Sequence, residues 1–201
     1  MSLPDPAASG PVPDWLTERF VGRDGVALCV RPLGPADSAN ERAFIEGLSP
    51  ESLYQRLMGV IKGVSDAQFA ALLQPDWPRS VALAIFRCDA PAGASEGVDA
   101  PREVEILGVA RFAESGEPQV AEFAIVVTDA WQRRGLGHAL FERLVRAARA
   151  AGYRQLVGTT FGDNRRMLDL ARSLGFESAS DDGDTSLRRL TLSLEAPSPP
   201  A

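Results

Sequence analysis

Between Val120 and Ala151 the spacing of apolar residues changes from every second position to every third or fourth. The change falls across one short loop, Gln132-Arg133-Arg134-Gly135-Leu136-Gly137. Upstream of it, Val120–Thr128 alternates as a strand does. Downstream, Leu140, Leu144, Val145 and Ala148 form one stripe of a helix that runs from Leu136 and is stopped by Gly152, with Glu142, Arg143, Arg146 and Arg149 outside the stripe. A strand that passes directly into a long amphipathic helix belongs to the α/β class, where helices cover a sheet.

The loop has a chemical consequence as well. A helix N-terminus carries four unpaired N–H groups and a partial positive charge. Glycine at 135 and 137 lets backbone approach a ligand without a Cβ in the way, and Arg133 and Arg134 add charge. Together they form a cradle for a pyrophosphate, although a tight strand–helix turn with surface arginines would read the same way. Two nucleotide-binding patterns fail on spacing. A Rossmann fingerprint needs a small residue where this chain has Leu140, and a Walker A loop needs Gly-Lys-Ser/Thr, which is absent.

The remaining pattern surrounds this unit with further strands and helices. Val26–Leu33 reads as a strand. Pro35-Ala36-Asp37 opens a helix with apolar Ala43, Phe44 and Leu48, Ser49-Pro50-Glu51 opens a second, and Ser65–Gln68 is a capping box for a third. Ser80–Arg87 is an apolar strand, and Cys88–Arg102 a long loop. Glu103–Glu114 and Val120–Thr128 form a hairpin through Ser115–Pro118. Arg154–Phe161 is a strand, Asp163 caps a helix that ends at Leu174-Gly175, and Phe176–Ser180 pairs with Ser186–Leu194 around an acidic turn. The expected fold is a mixed sheet with helices on both faces.

At 201 residues the chain suits one domain. Its Pro-, Ala- and Ser-rich ends set the expected organisation: residues 1–14 disordered, 15–195 one domain, 196–201 a disordered tail. Cys29 and Cys88 lie in apolar runs and read as small buried residues, and no Cys or His spacing suggests a metal. A net charge of -6 argues against sequence-independent nucleic-acid binding. No apolar run is long enough for a membrane span, and the N-terminus lacks a signal-peptide pattern, so the expectation is a soluble, cytoplasmic protein.

Gln132–Gly137 resembles the Q/R-x-x-G-x-G/A signature of the Gcn5-related N-acetyltransferase (GNAT) superfamily. Asn164-Arg165-Arg166-Met167-Leu168, through Leu174-Gly175-Phe176, resembles that superfamily's later helix and strand. Val30-Arg31-Pro32-Leu33 with Asp37 resembles its opening, so the likeness spans residues 26–194. Arg31-Pro32, Leu48–Ser52, Tyr54, Arg56, Ala121–Ala124 and Asn164–Leu168 are further similar to the bacterial protein-lysine acetyltransferases. The resemblance implies a GNAT fold, a mostly antiparallel sheet of about seven strands. It also implies acetyl-CoA as co-substrate, no metal, and an amine acceptor, foremost a protein lysine. A homodimer is compatible with it.

The resemblance also assigns residues. Glu122 is the general base, and on an alternating strand it shares a face with Val120, Ala124 and Val126, where apolar neighbours would make it a stronger base. Backbone N–H groups at Ile125, Val126 and Val127 serve the oxyanion and the pantetheine arm, provided this strand parts from Arg154–Phe161. The amides of Arg133, Arg134, Gly135, Leu136, Gly137 and His138, behind Gln132, hold the pyrophosphate. Asn164 and Met167 line the arm, and Tyr54 contacts the acceptor. One departure stands out: the helix position that carries a tyrosine acid in many relatives is Ala171 here. Three readings follow, a protein-lysine acetyltransferase, a small-molecule amine acetyltransferase, and a non-catalytic acyl-CoA sensor.

Overall fold

The computed structural model describes residues 10–57, 73–74, 76–89, 102–181 and 183–195. Its eight strands are β1 (Glu18–Val21), β2 (Ala27–Pro32), β3 (Ser80–Asp89), β4 (Arg102–Glu114), β5 (Val120–Val127), β6 (Gln155–Phe161), β7 (Glu177–Ser180) and β8 (Leu187–Ser193). They form one sheet in the order β1-β2-β3-β4-β5-β6-β8-β7. Every neighbouring pair is antiparallel except β5 with β6. That one parallel pair needs a crossover, and the helix after the glycine loop supplies it.

Four helices are described: α1 (Ser38–Glu46), α2 (Pro50–Leu57), α3 (Leu136–Ala150) and α4 (Arg165–Ser173). The sheet separates two apolar clusters. On one face, Leu136, Leu140, Phe141 and Leu144 of α3 pack with Ala171 and Phe176 against Phe112, Phe123 and Leu156. On the other, Phe44 and Leu48 pack against Ala84, Phe86 and Val109. Phe44, Leu48, Leu140, Leu144 and Ala171 are apolar positions read from the sequence, because burying such a stripe drives a helix onto the sheet; Leu136 and Phe141 join them, whereas Ala43 is exposed.

Several details differ from the sequence expectation. The sheet has eight strands rather than seven. The extra strand, β1, has only four residues and is half exposed, so its apolar signal is weak. It is held from outside by Arg143 of α3, which bonds Glu18 at 2.9 Å and lies 4.5 Å over the Phe20 ring. The chain is engaged before residue 15, since Gly10 N–H donates to the Trp77 carbonyl at 2.8 Å. The cap of α4 is Asn164, not Asp163: its side chain accepts the Met167 N–H at 3.1 Å. The capping box at Ser65–Gln68 lies outside the described residues, as does most of the Cys88–Arg102 loop.

Candidate active site

The parting of β5 from β6 creates the site. The two strands pair only at Val120, Ala121 and Glu122, opposite Gln155, Leu156 and Val157. β5 then continues to Val127 and β6 to Phe161 without further pairing. On its other edge β5 stays paired with β4 as far as Val127–Gly108, and Thr128 N–H donates to the Leu107 carbonyl at 2.9 Å. Backbone groups alternate between edges along an antiparallel strand. Thr128 therefore fixes the pattern: Val126 turns its amide to β4, and Ile125 and Val127 turn theirs to the gap. Val126, expected to offer an amide, offers its side chain instead.

A groove of about 710 Å³ occupies this gap. Ile125 and Val127 form one bank and Thr159 and Thr160 the other. Ser52, Gln55 and Arg56 of α2 close one side, and Gly135, Gly137 and His138 lie at the start of α3. Asn164, Met167 and Leu170 of α4 complete the wall.

The loop before α3 is shaped by two left-handed residues, Arg133 at φ 62° and Gly135 at φ 87°. Alternating them with ordinary residues curls successive N–H groups toward one side, an anion-binding concavity. Among the described residues, the amides of 133 to 138 donate no hydrogen bond, and α3 has no side-chain cap. Open donors at a helix N-terminus beside a groove fit an anionic ligand. Arg133 also lines the groove, whereas Arg134 turns away to Asp24 at 3.1 Å and lies 4.7 Å over Trp131. Leu136 is buried in the core, leaving only its backbone for the loop.

Gln132 is a strut. Its Nε2 donates to the Val127 carbonyl at 3.1 Å and to Ser52 Oγ at 3.4 Å, and its Oε1 accepts from Arg166 at 2.7 Å. One side chain thus ties β5, α2 and α4 around the groove. Asp129 reinforces it by accepting from Ser49 N–H, Ser49 Oγ and Ser52 Oγ. Burial acts to raise the Asp129 carboxyl, but these hydrogen bonds outweigh it and hold it below the usual range.

Glu122 borders the groove on the α1–α2 side of the sheet and is exposed. The sequence placed it among apolar neighbours. Ala124 and Val126 do share its face, but the open groove wets it. Arg56 lies nearby and is buried enough that its guanidinium is pushed down to about 10, with Arg111 adding to the effect and Glu41 and Glu122 opposing it. It stays protonated at neutral pH.

Tyr54, Tyr153 and Ala171 fall outside the groove, whereas His138 lines it. Tyr54 is 46% exposed and stacks on Phe161, with ring centroids 5.0 Å apart. Tyr153 donates to the Arg79 carbonyl at 3.0 Å, beside a second, smaller cavity. Ala171 is buried, so no side chain there reaches a reacting group. His138 lies with its Nδ1 3.3 Å from Ser173 Oγ. The sequence reading passed over Ser52, Gln55 and Thr159, because a lone polar residue has no local pattern that marks it as a groove wall.

The comparisons with known proteins agree with this geometry. The family model described as "Acetyltransferase (GNAT) family" matches residues 66–176. Acetyltransferase PA5475 of Pseudomonas aeruginosa is 32% identical over 171 residues, covering 84% of this chain and 86% of its relative. The crystal structure of the GNAT domain of S. lividans PAT superposes with a TM-score of 0.75 at 25% identity, covering 91% of this chain and 99% of that one. The acetyltransferase yncA of Salmonella typhimurium, solved with acetyl-CoA, shares the fold at a TM-score of 0.63 and 20% identity, covering 87% and 98% of the two chains. The chain belongs to the acetyltransferase (GNAT) family, and is an N-acetyltransferase.

Proposed function

We propose that the protein transfers an acetyl group from acetyl-CoA to a primary amine, with a protein lysine as the acceptor, by direct attack in a ternary complex. The observation that carries this reading is the open backbone of the groove. Ile125 and Val127, whose N–H groups turn to the gap, and the loop residues Arg133, Gly135, Gly137 and His138, whose N–H groups donate no hydrogen bond among the described residues, border one cavity with Glu122. In this reading the loop amides and Arg133 hold the pyrophosphate, and the pantetheine arm lies between β5 and β6. The Val127 carbonyl is already held by Gln132, which leaves the Val127 N–H as its group for the arm. Asn164, which lines the groove, likewise uses Oδ1 in its cap, which leaves Nδ2 as its donor for the arm.

The chemistry asks for a base. A lysine near pH 7.4 is about 0.1% neutral, a deficit of roughly 4 kcal/mol. Glu122 takes the ammonium proton, directly or through one water in the wet groove. The amine nitrogen then bonds to the thioester carbon. The oxyanion forms against the β5 amides, the C–S bond breaks, and solvent protonates the thiolate. Support for a lysine acceptor comes from the protein-lysine acetyltransferase motifs at Arg31-Pro32, Leu48–Ser52 and Ala121–Ala124.

Glu122→Gln tests the base. With saturating acetyl-CoA, its kcat/KM should fall by about 10²- to 10⁴-fold, and the rise of wild-type rate with pH should flatten. Undiminished turnover across pH 6–9 would remove Glu122 from this role.

A further inference from the structure

The groove holds a second charge that the transfer chemistry leaves unused. Arg56 borders the cavity with Glu122, Ser52 and Gln55. It makes no hydrogen bond or ion pair to any described residue. Other half-buried arginines of this protein are paired: Arg31 holds Asp37 and Glu103, Arg111 holds Glu41, and Arg143 holds Glu18. An arginine kept for packing alone would follow the same rule, because a buried charge without a partner is costly. Arg56 instead lines a cavity, with a guanidinium that carries five donors.

We propose that Arg56 is the specificity residue of the acceptor site, and that it takes a carboxylate carried by the acceptor close to the amine that is acetylated. The proposal rests on the amine-acetylation reading above. On the side that α2 closes, the groove offers the carboxylate of Glu122 and the open guanidinium of Arg56, which complement an acceptor with one ammonium and one carboxylate; Arg133, Arg166 and Asp169 belong to the loop before α3 and to α4. The planar guanidinium fork matches a carboxylate in two parallel hydrogen bonds, which an ammonium side chain could not supply. Binding an anion would also relieve the burial that now works against the charge on Arg56. The pyrophosphate is not the anion in question. Its open amides and Arg133 belong to the loop before α3, whereas Arg56 stands on α2 beside Glu122. The carboxylate has two sources, the α-carboxylate of a free amino acid or an Asp or Glu next to a target lysine in a peptide.

Two matched acceptor pairs separate the sources: a free amino acid against its carboxamide, and a lysine peptide with a neighbouring Asp against the same peptide with Asn. Acetylation of each is followed by CoA release. The wild type should favour the carboxylate member of at least one pair by roughly ten- to hundredfold in kcat/KM, and the pair that responds names the source. Arg56→Gln should collapse that ratio toward one, chiefly through acceptor KM. Arg56→Lys should restore only part of it, and calorimetry should find CoA affinity largely retained. Equal use of both members of both pairs by the wild type would overturn the proposal without touching the acetyltransferase reading. So would an Arg56→Gln loss that falls on CoA affinity. No turnover with any amine, despite CoA binding, would overturn both. The wild-type ratios require no variant to fold.

Discussion

Arg133 and Gly135 share the left-handed region, at φ 62° and 87°, and they respond to substitution with opposite signs. For an L-residue that region costs about 1–2 kcal/mol, while exchanging glycine for alanine gains only about 0.4–1 kcal/mol through the unfolded chain. Strain is the larger effect. Gly135→Ala should therefore lose up to about 1.6 kcal/mol of stability, since its Cβ meets nothing nearer than the Arg23 side chain at 3.6 Å. Arg133→Gly should gain a similar amount yet bind CoA more weakly, because it removes a positive charge that lines the groove. Urea denaturation with calorimetry of CoA binding checks both. A variant that gains stability and affinity together would show that Arg133 is not part of the cradle. Gly135 was visible in the sequence because glycine marks such a position. Arg133 was not, since nothing in an arginine's identity announces a positive φ.

At the scale of elements, the periodicity of α3 was legible because it buries a regular stripe, whereas α4 buries only Ala171 and was marked mainly by the Gly175 stop. The extent of the β5–β6 gap was not legible, because it depends on packing between residues far apart in the chain. The strands part at Phe123 and Gly158, one residue past the last pair, Glu122–Val157. A Cβ on Gly158 would lie 2.5 Å from the Phe123 ring. That ring cannot retreat freely, since Phe141 and Phe176 hold it at centroid distances of 4.7 and 5.3 Å. Gly158→Ala should overpack this trio and destabilise the protein by about 1–3 kcal/mol. Thermal melting should fall by about 2–4 °C for each kcal/mol lost. An unchanged melting temperature would mean that the ring has room to move and that the join between the strands is set elsewhere.

Across the whole molecule, both faces of the sheet contribute to one groove: α3 and α4 bring the cradle and arm wall from one side, and α2 brings Ser52, Gln55 and Arg56 from the other. The sequence showed the cradle side clearly, through its glycines, and the acceptor side only by resemblance, because polar residues on short helices carry no such signature. Behind that second side, Glu41 of α1 is buried against Arg111 of β4. Glu41 Oε1 holds the guanidinium, and Oε2 finds no hydrogen-bond partner among the described residues. Burial pushes the Glu41 carboxyl up despite the pull of Arg111. The pair is therefore not a large source of stability, although breaking it is costly, because a buried charge would lose its counterion. Glu41→Leu alone should destabilise by about 3–5 kcal/mol, and Glu41→Leu with Arg111→Met should recover most of that loss. Equilibrium unfolding of the two single variants and the double variant measures the coupling. Additive losses would show no coupling between the two side chains and would overturn this account of the pair. Recovery in the double variant would show that apolar packing holds α1 on the sheet without it.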